Sequence, residues 1–312
     1  MLVTAAAVAA VATVPATAHA SQLVDRDAAD VKLAVDGQAR ALVTYRTARG
    51  KRTLLAWSAV NALAPTSGLP QVRFRLDYAA AVHYGRKNLR RTFRSCRRYD
   101  GPPLAWLVTA CKAPDGSYWA LQSWQRLLPH RGYPAWLPAQ GAWELHLSHW
   151  TGRLAGLEAW TDWAFNGEAH DLFGRLTYAG EPVYGIKDRN GVPLDGYGRN
   201  LYIDTFNSAY GSGWKRETSI LFRRPTGSFC YSFWPTRDHT LPGFPDNLRP
   251  AGKGERYRIT VIGPGVTPDV VWEGSGLHDY KPWDSEDTLY EARMNTLFDQ
   301  VTAGDRFCPT QH

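Results

Sequence analysis

The sequence lacks the short motifs that mark the commoner enzyme classes. It contains no Gly-x-Ser-x-Gly, His-Glu-x-x-His or Gly-x-Gly-x-x-Gly pattern, no phosphate-binding loop, no EF-hand loop and no Asn-x-Ser/Thr sequon. Its cysteines form no Cys-x-x-Cys pair, so the close ligand spacing of a zinc site is also missing. These absences remove the corresponding enzyme and metal-binding classes, and we expect neither a cofactor nor a bound metal.

Methionine is scarce, whereas flat aromatic side chains are abundant. The 312 residues include 2 Met beside 13 Trp, 15 Tyr and 11 Phe, and 44% of the chain is hydrophobic against 21% charged. This balance excludes a wholly disordered chain, a collagen-like chain and a polytopic membrane protein. Aromatic rings suit both strands and surfaces that hold flat ligands.

Charged side chains are absent from the start of the chain. The Ala/Val-rich stretch Leu2–Val14 is followed by Pro15 and by Ala18-His19-Ala20, with no Asp, Glu, Lys or Arg and no positive n-region. A short apolar segment that ends in Ala-x-Ala is typical of a signal peptide, here residues 1–20, cleaved after Ala20. No apolar run of the length of a membrane span follows. We therefore expect a secreted, extracytoplasmic protein without a membrane span.

Only four cysteines are present, and export to an oxidising compartment would favour disulfides between them. We predict one bridge between Cys96 and Cys111, across the turn at residues 100–103. We predict a second bridge between Cys230 and Cys308, which would tie the end of the chain to an upstream strand.

Most of the sequence after the predicted leader alternates between apolar and polar residues, which is typical of half-buried strands. Hairpins are predicted over residues 41–60 and over residues 104–124, the second around Asp115-Gly116. The predicted fold class is mainly β, with two antiparallel β domains, a Trp-rich one over 30–165 and a sandwich over 170–275.

One helix is predicted, over residues 284–303, followed by a disulfide-tied tail. Asp284 or Ser285 can cap it, and Gly304 is the expected stop. Its apolar residues recur at helical spacing and would cover a sheet or groove. They are Tyr290, Met294, Leu297, Phe298 and Val301.

Three segments of the second half follow one another in a suggestive order. Residues 173–185 form a strand pattern ending in a glycine turn with Pro182-Val183, residues 226–233 open with Gly227 and alternate aromatics, and residues 254–261 form a further strand. This order resembles the transthyretin-like or carboxypeptidase-regulatory-like β-sandwich over about residues 172–275. The resemblance implies a scaffold or binding accessory domain, and no functional residue is carried over from it.

Positive charge is concentrated in one short run. Seven cations and no acid lie between Arg86 and Arg98, and they equal the net charge of +7 of the whole chain. Guanidinium groups bind phosphate, sulfate and carboxylate, so the run is a candidate anion-binding site. The residues proposed for it are Arg90, Arg91, Arg94, Arg97 and Arg98. The alternative, which the sequence favours, is a solvated loop bounded by a disulfide.

Tryptophan is concentrated between residues 118 and 163, where seven of the 13 lie. Rings beside hydrogen-bonding groups are what a sugar stacks against, so Trp150, Trp160 and His146 are candidate ligand-binding residues. A tryptophan-rich β core is the alternative, at even odds or better.

Two neighbouring strand patterns, residues 143–150 and 157–163, carry carboxylates. If they form a hairpin with His146 opposite Trp160, then Glu144 faces Asp162, with Glu158 in reserve. Such a pair would approach the separation of about 5 Å that retaining glycosidases use. The alternative, which we favour, is the solvent face of a hairpin.

Taken together, these patterns favour a secreted, non-catalytic protein that binds a glycan or another anionic polymer of the cell envelope. A carbohydrate-active hydrolase using the carboxylates, and a structural protein-interaction module, are the alternatives. A specific nucleic-acid partner is not expected, because net charge supports only non-specific attraction.

Overall fold

The computed structural model describes residues 21–58, 74–128, 130–131, 141–165, 169–178, 180–183, 199–222, 226–233, 252–277, 281 and 283–304. The protein is mainly β, as predicted, with its strands in antiparallel sheets and a helix at the C-terminal end. No helix of these residues is long and apolar enough to cross a membrane.

Strands between residues 22 and 150 form two sheets. The first has the order β1-β9-β8-β7-β6, built from β1 (Gln22–Arg26), β6 (Arg97–Arg98), β7 (Leu107–Lys112), β8 (Tyr118–Trp124) and β9 (Glu144–Trp150). The second has the order β2-β3-β4-β5, built from β2 (Ala29–Val35), β3 (Ala41–Thr47), β4 (Gly50–Ser58) and β5 (Phe74–Asp77). Apolar side chains of both sheets share one core, in which Val43 and Leu54 meet Trp119 and Leu147.

Strands between residues 156 and 275 form two further sheets. The third contains β10 (Gly156–Phe165), β11 (Ala169–Tyr178), β12 (Glu181–Pro182) and β15 (Ser228–Ser232), with β11 pairing all three others. The fourth has the order β14-β13-β16-β17, built from β13 (Arg199–Ser208), β14 (Gly211–Phe222), β16 (Arg256–Val261) and β17 (Val270–Ser275). Leu172 and Phe229 of the third sheet pack against Ile203 and Ile259 of the fourth, which is a sandwich-like arrangement.

Both predicted hairpins are present. Strands β3 and β4 pair from Ala41 opposite Ala56 to Thr47 opposite Gly50. Strands β7 and β8 flank Asp115-Gly116. Gly116 has a φ of +88°, which residues other than glycine rarely adopt. The carboxylate of Asp115 accepts hydrogen bonds from the backbone N–H and the hydroxyl of Ser117, which fixes this turn.

The predicted pairing of residues 143–150 with residues 157–163 is wrong. Strand β9 lies between β1 and β8, so both of its edges are filled, and His146 stands opposite Leu23 and Gln122. Strand β10 pairs with β11 in another sheet. The chain therefore changes from the first pair of sheets to the second at residues 151–155, ahead of the polar segment at residue 166.

Three helices occur in the described residues: α1 (Ala80–His83), α2 (Arg86–Thr92) and α3 (Ser285–Thr302). The prediction of α3 is confirmed, because the carboxylate of Asp284 accepts a hydrogen bond from the backbone N–H of Glu286 and caps the helix. Its predicted face is the buried one. Met294, Phe298 and Val301 pack with Phe173 of β11, and Tyr290 and Leu297 border them.

An aromatic seam joins the two pairs of sheets. Trp124 of the first sheet packs with Tyr202 and Ile262 of the second half. Trp106 stacks on Trp124, with ring centroids 5.0 Å apart and planes 16° apart. The guanidinium of Arg258 lies 5.5 Å from the ring centroid of Trp106, a cation–π contact across the same seam.

The predicted bridge between Cys96 and Cys111 is confirmed, with 5.5 Å between the two Cα atoms. It joins the segment that precedes β6 to the end of β7. Cys308 lies outside the described residues, so its pairing with Cys230 stays a prediction.

Removing the first bridge should destabilise the protein. The double variant Cys96→Ala, Cys111→Ala opens a 15-residue closure, and its free energy of unfolding should fall by about 2–4 kcal/mol because the unfolded chain gains conformational freedom. Urea unfolding followed by tryptophan fluorescence measures this change. An unchanged urea midpoint would show that the bridge does not constrain the fold.

Candidate functional site

Seven cations that lie close together in the sequence form one exposed positive surface, which we call the cationic surface. It consists of Arg86, Lys87, Arg90, Arg91, Arg94, Arg97 and Arg98, all of them exposed. The first four belong to α2, Arg94 follows the helix, and the last two form β6. These side chains are exposed, as the sequence interpretation expected, but the segment forms α2 and β6 instead of the expected loop.

The buried side of the same segment holds the cationic surface in place. Leu89 and Phe93 are 5% and 6% exposed and pack against Leu42, Leu55 and Ala80 of the hydrophobic core. At helical spacing these two residues share one face, which leaves Lys87 and Arg91 on the opposite face. The cations are thus displayed on a packed element whose neighbours fix its position.

Acidic side chains do not neutralise this surface. Among the described residues, none of its seven cations lies within ion-pair distance of a carboxylate. The nearest acid in sequence, Asp100, is already engaged by Lys112 and by the hydroxyl of Tyr118, at 2.8 and 2.9 Å. Hydrogen bonds from Lys112 and Tyr118 lower the pKa of Asp100, so it stays ionised beside its own partners.

A shallow cavity of about 560 Å³ lies at one end of the cationic surface. It is lined by Arg97, Arg98, Tyr99, Asp100 and Lys112. Arg97 stands opposite Lys112 in the pairing of β6 with β7, so two cations meet at its wall. The guanidinium groups in the lining are those of Arg97 and Arg98, and a guanidinium can hold an oxyanion by two parallel hydrogen bonds.

The predicted aromatic ligand site does not form at the surface. Trp150 is 0% exposed and lies under Tyr99 and Tyr118, whose ring centroids are 6.2 and 5.5 Å away. Trp160 packs on Phe173, at 5.5 Å between ring centroids, beside helix α3. Trp150 is a core residue that cannot stack on a sugar at the surface, and Trp160 is half-buried against Phe173.

Glu144 and His146 are also buried, at 0% and 2% exposure, because all seven residues of β9 are buried on both faces of the sheet. Glu144 Oε1 accepts hydrogen bonds from Arg26 Nε and Nη2 at 3.1 and 2.9 Å. Its Oε2 lies 2.7 Å from Arg126 Nε and 3.1 Å from His146 Nε2. The predicted solvent face is therefore wrong, and Glu144 is instead the centre of an ion-pair cluster.

The ionised form of Glu144 is strongly favoured. Burial raises the pKa of this carboxyl, but the hydrogen bond from His146, the charge of Arg126 and the hydrogen bond from Arg26 outweigh burial and lower the pKa to about 2. A general acid needs a raised pKa, so this carboxyl is unsuited to donate a proton near neutral pH.

A buried polar chain continues from this cluster into the second half of the protein; it consists of Glu144, His146, Ser21 and Asp269. His146 Nδ1 lies 3.2 Å from the hydroxyl of Ser21, and that hydroxyl donates to Asp269 Oδ1 at 2.8 Å. Because Ser21 gives its single proton to Asp269, its oxygen can only accept from His146.

Asp269 connects the two halves through several further bonds. Its carboxylate accepts from Trp124 Nε1 at 3.1 Å and from the backbone N–H of Gly263 at 3.2 Å. The side-chain amide of Gln122 accepts from the backbone N–H of Asp269 at 2.9 Å and donates to its carbonyl at 3.1 Å. Sequence reasoning missed Ser21, Gln122 and Asp269, since none of them lies in a motif. The one available signal was the position of Ser21 directly after the predicted cleavage site.

The remaining candidate carboxylates do not join this chain. Glu158 is exposed and accepts a hydrogen bond from Arg175 Nε at 2.6 Å across the pairing of β10 with β11. The side chain of Asp162 lies outside the described part of the structure, and its backbone belongs to β10, in a different sheet from Glu144. In the described residues no group of three His, Cys, Asp or Glu side chains could hold a metal ion.

Comparison of the chain with protein-family models, with curated proteins and with solved structures finds no match.

Replacing Glu144 should change how stability depends on pH. A folded-state pKa of about 2 against the ordinary 4.5 means that the ionised carboxylate stabilises the fold above about pH 4.5 and that this stability is lost as pH falls toward 2. The variant Glu144→Gln should lose about 2–3 kcal/mol at pH 7 and fall less steeply between pH 5 and 2. Urea midpoints measured across this range give both quantities.

The matched control is Glu158→Gln, which removes the same charge from an exposed pair and should change stability by under about 1 kcal/mol. Equal losses for the two variants would show that burial of Glu144 carries no special weight.

Proposed function

We propose that the protein acts outside the cytoplasm as a non-catalytic binding protein for an anionic polymer of the cell envelope, and that the cationic surface is its contact. The observation that carries the proposal is the exposure of seven cations within 13 residues, with no acidic partner among the described residues. The disulfide between Cys96 and Cys111 supports export, because such bridges persist in oxidising compartments.

The distribution of charge supports a polymer better than a small ion. The cationic surface accounts for the whole net charge of +7, so the rest of the chain is balanced. A repeating array of negative charges can engage several arginines at once, whereas a single small anion can reach only one or two of them. The attraction is long-ranged, because clustered like charges add their fields at a distance of about one Debye length, near 8 Å in physiological salt.

The chemistry of the surface favours sulfate, phosphate or carboxylate groups over neutral sugar rings. Of the two predicted stacking platforms, Trp150 is a core residue and Trp160 is half-buried against Phe173. A glycan ligand would therefore be recognised through its acidic groups. The hydrolase alternative loses its support, because Glu144 is fully buried and bound to two arginines.

Charge removal from the cationic surface tests the proposal. The triple variant Arg90→Gln, Arg91→Gln, Arg94→Gln should bind immobilised heparin, used as a sulfated probe polymer, roughly 10–100-fold more weakly at low salt. The plot of log affinity against log salt should also become shallower, by roughly one unit for each arginine that no longer neutralises a sulfate of the polymer. Surface plasmon resonance at several salt concentrations measures both changes.

A matched control is available elsewhere on the surface. Arg75, Arg153 and Arg293 are also exposed, and the triple variant Arg75→Gln, Arg153→Gln, Arg293→Gln lowers the net charge by the same amount. It should keep most of the affinity of the unmodified protein. Equal losses for the two triples, or binding of heparin no stronger than binding of neutral dextran, would overturn the proposal.

A further inference from the structure

We propose that cleavage after Ala20 creates a buried counter-charge: the new α-ammonium group of Ser21 neutralises the carboxylate of Asp269. The inference rests on the proposed export and processing of the chain, and it is independent of the ligand of the cationic surface. On this proposal, removal of the leader strengthens the junction between the two pairs of sheets.

Asp269 is a buried carboxylate without a cationic side chain beside it. It is 2% exposed, and among the described residues no Lys, Arg or His lies within ion-pair distance of it. It accepts only from a hydroxyl, an indole N–H and a backbone N–H, those of Ser21, Trp124 and Gly263. Burial of a carboxylate is unfavourable unless a positive charge compensates it.

Three of the other buried carboxylates are paired with arginine side chains. Glu144 is paired with Arg26 and Arg126, Asp204 with Arg216 and Arg258, and Asp36 with Arg40. These three are 0%, 1% and 1% exposed, much as Asp269 is. Asp269 differs from them in that its own surroundings supply hydrogen bonds and no arginine.

Ser21 is placed to provide the missing charge. Its hydroxyl oxygen lies 2.8 Å from Asp269 Oδ1, and the residue is itself 2% exposed. Within one serine the backbone nitrogen is three bonds from the hydroxyl oxygen, or about 3–4 Å. The nitrogen of Ser21 is therefore at most about 7 Å from the carboxylate, a distance at which opposite charges shielded from water attract strongly. While the chain continues to Ala20, this nitrogen is an uncharged amide.

The position of Asp269 determines what the new charge would do. Gln122 and Trp124 of β8 reach across to Asp269, and the backbone N–H of His149 donates to the carbonyl of Val266 at 2.9 Å in the same region. Stabilising Asp269 therefore strengthens the contact between the first and the second half. The mature chain should be more stable than a chain that retains even a short extension before Ser21.

The test compares two chain starts in two backgrounds. One protein begins at Ser21, released from a fusion by a protease that leaves no extra residue, and the other retains Ala20 and so moves the charge by one residue. The extension should lower the thermal midpoint by about 2–4 °C. In the Asp269→Asn background, where no carboxylate remains, the two chain starts should unfold at the same temperature.

Asp36→Asn is the matched control, because it removes a buried carboxylate that has its own arginine. In that background the extension should still lower the midpoint. The inference is overturned if the extension has no effect, or if its effect is the same with Asp269→Asn. Mass spectrometry of the exported protein gives its first residue, and a start other than Ser21 would also overturn it. None of these outcomes depends on heparin binding, so the two proposals can fail separately.

Discussion

Asp269 and Gln122 bind each other across the junction between the two pairs of sheets, through hydrogen bonds that are shielded from water. Polar groups buried at a junction must find partners with good geometry, and a shift of either half would leave several of them without one. The seam formed by Trp106 and Trp124 supplies apolar contact beside these bonds, but it constrains the relative position of the two halves less strictly. The polar bonds therefore fix how the halves meet, and the two cores are built around that junction.

The same requirement accounts for where the charges lie. Glu144 and Asp204 are buried, and each takes two arginines as partners, which removes those arginines from the surface charge. The cations of residues 86–98 do not pair with buried carboxylates, because α2 buries only its apolar side. They remain available to an external partner. The buried charges of Glu144 and Asp204 are thus paired with arginines, whereas the cationic surface carries an excess of positive charge. The proposed function depends on that excess.

Local features were predicted well. The hairpins at residues 41–60 and 104–124, the helix capped by Asp284 and the bridge between Cys96 and Cys111 depend on residues close in sequence, whose turn, capping and spacing preferences are visible there. The partner of β9 was mispredicted because β1 enters the sheet from more than 100 residues away. Alternation of polar and apolar residues shows that a strand exists, but it does not identify its neighbour.

The sequence by itself determined the fold class, the C-terminal helix and the concentration of positive charge, since these follow from composition and short-range pattern. Only the tertiary structure decided the surroundings of Glu144, His146, Trp150 and Asp269. Whether a carboxylate faces water, an arginine or a distant serine depends on which distant strands pack beside it. The partners of Glu144 also set its pKa, because their hydrogen bonds and charges outweigh the effect of burial.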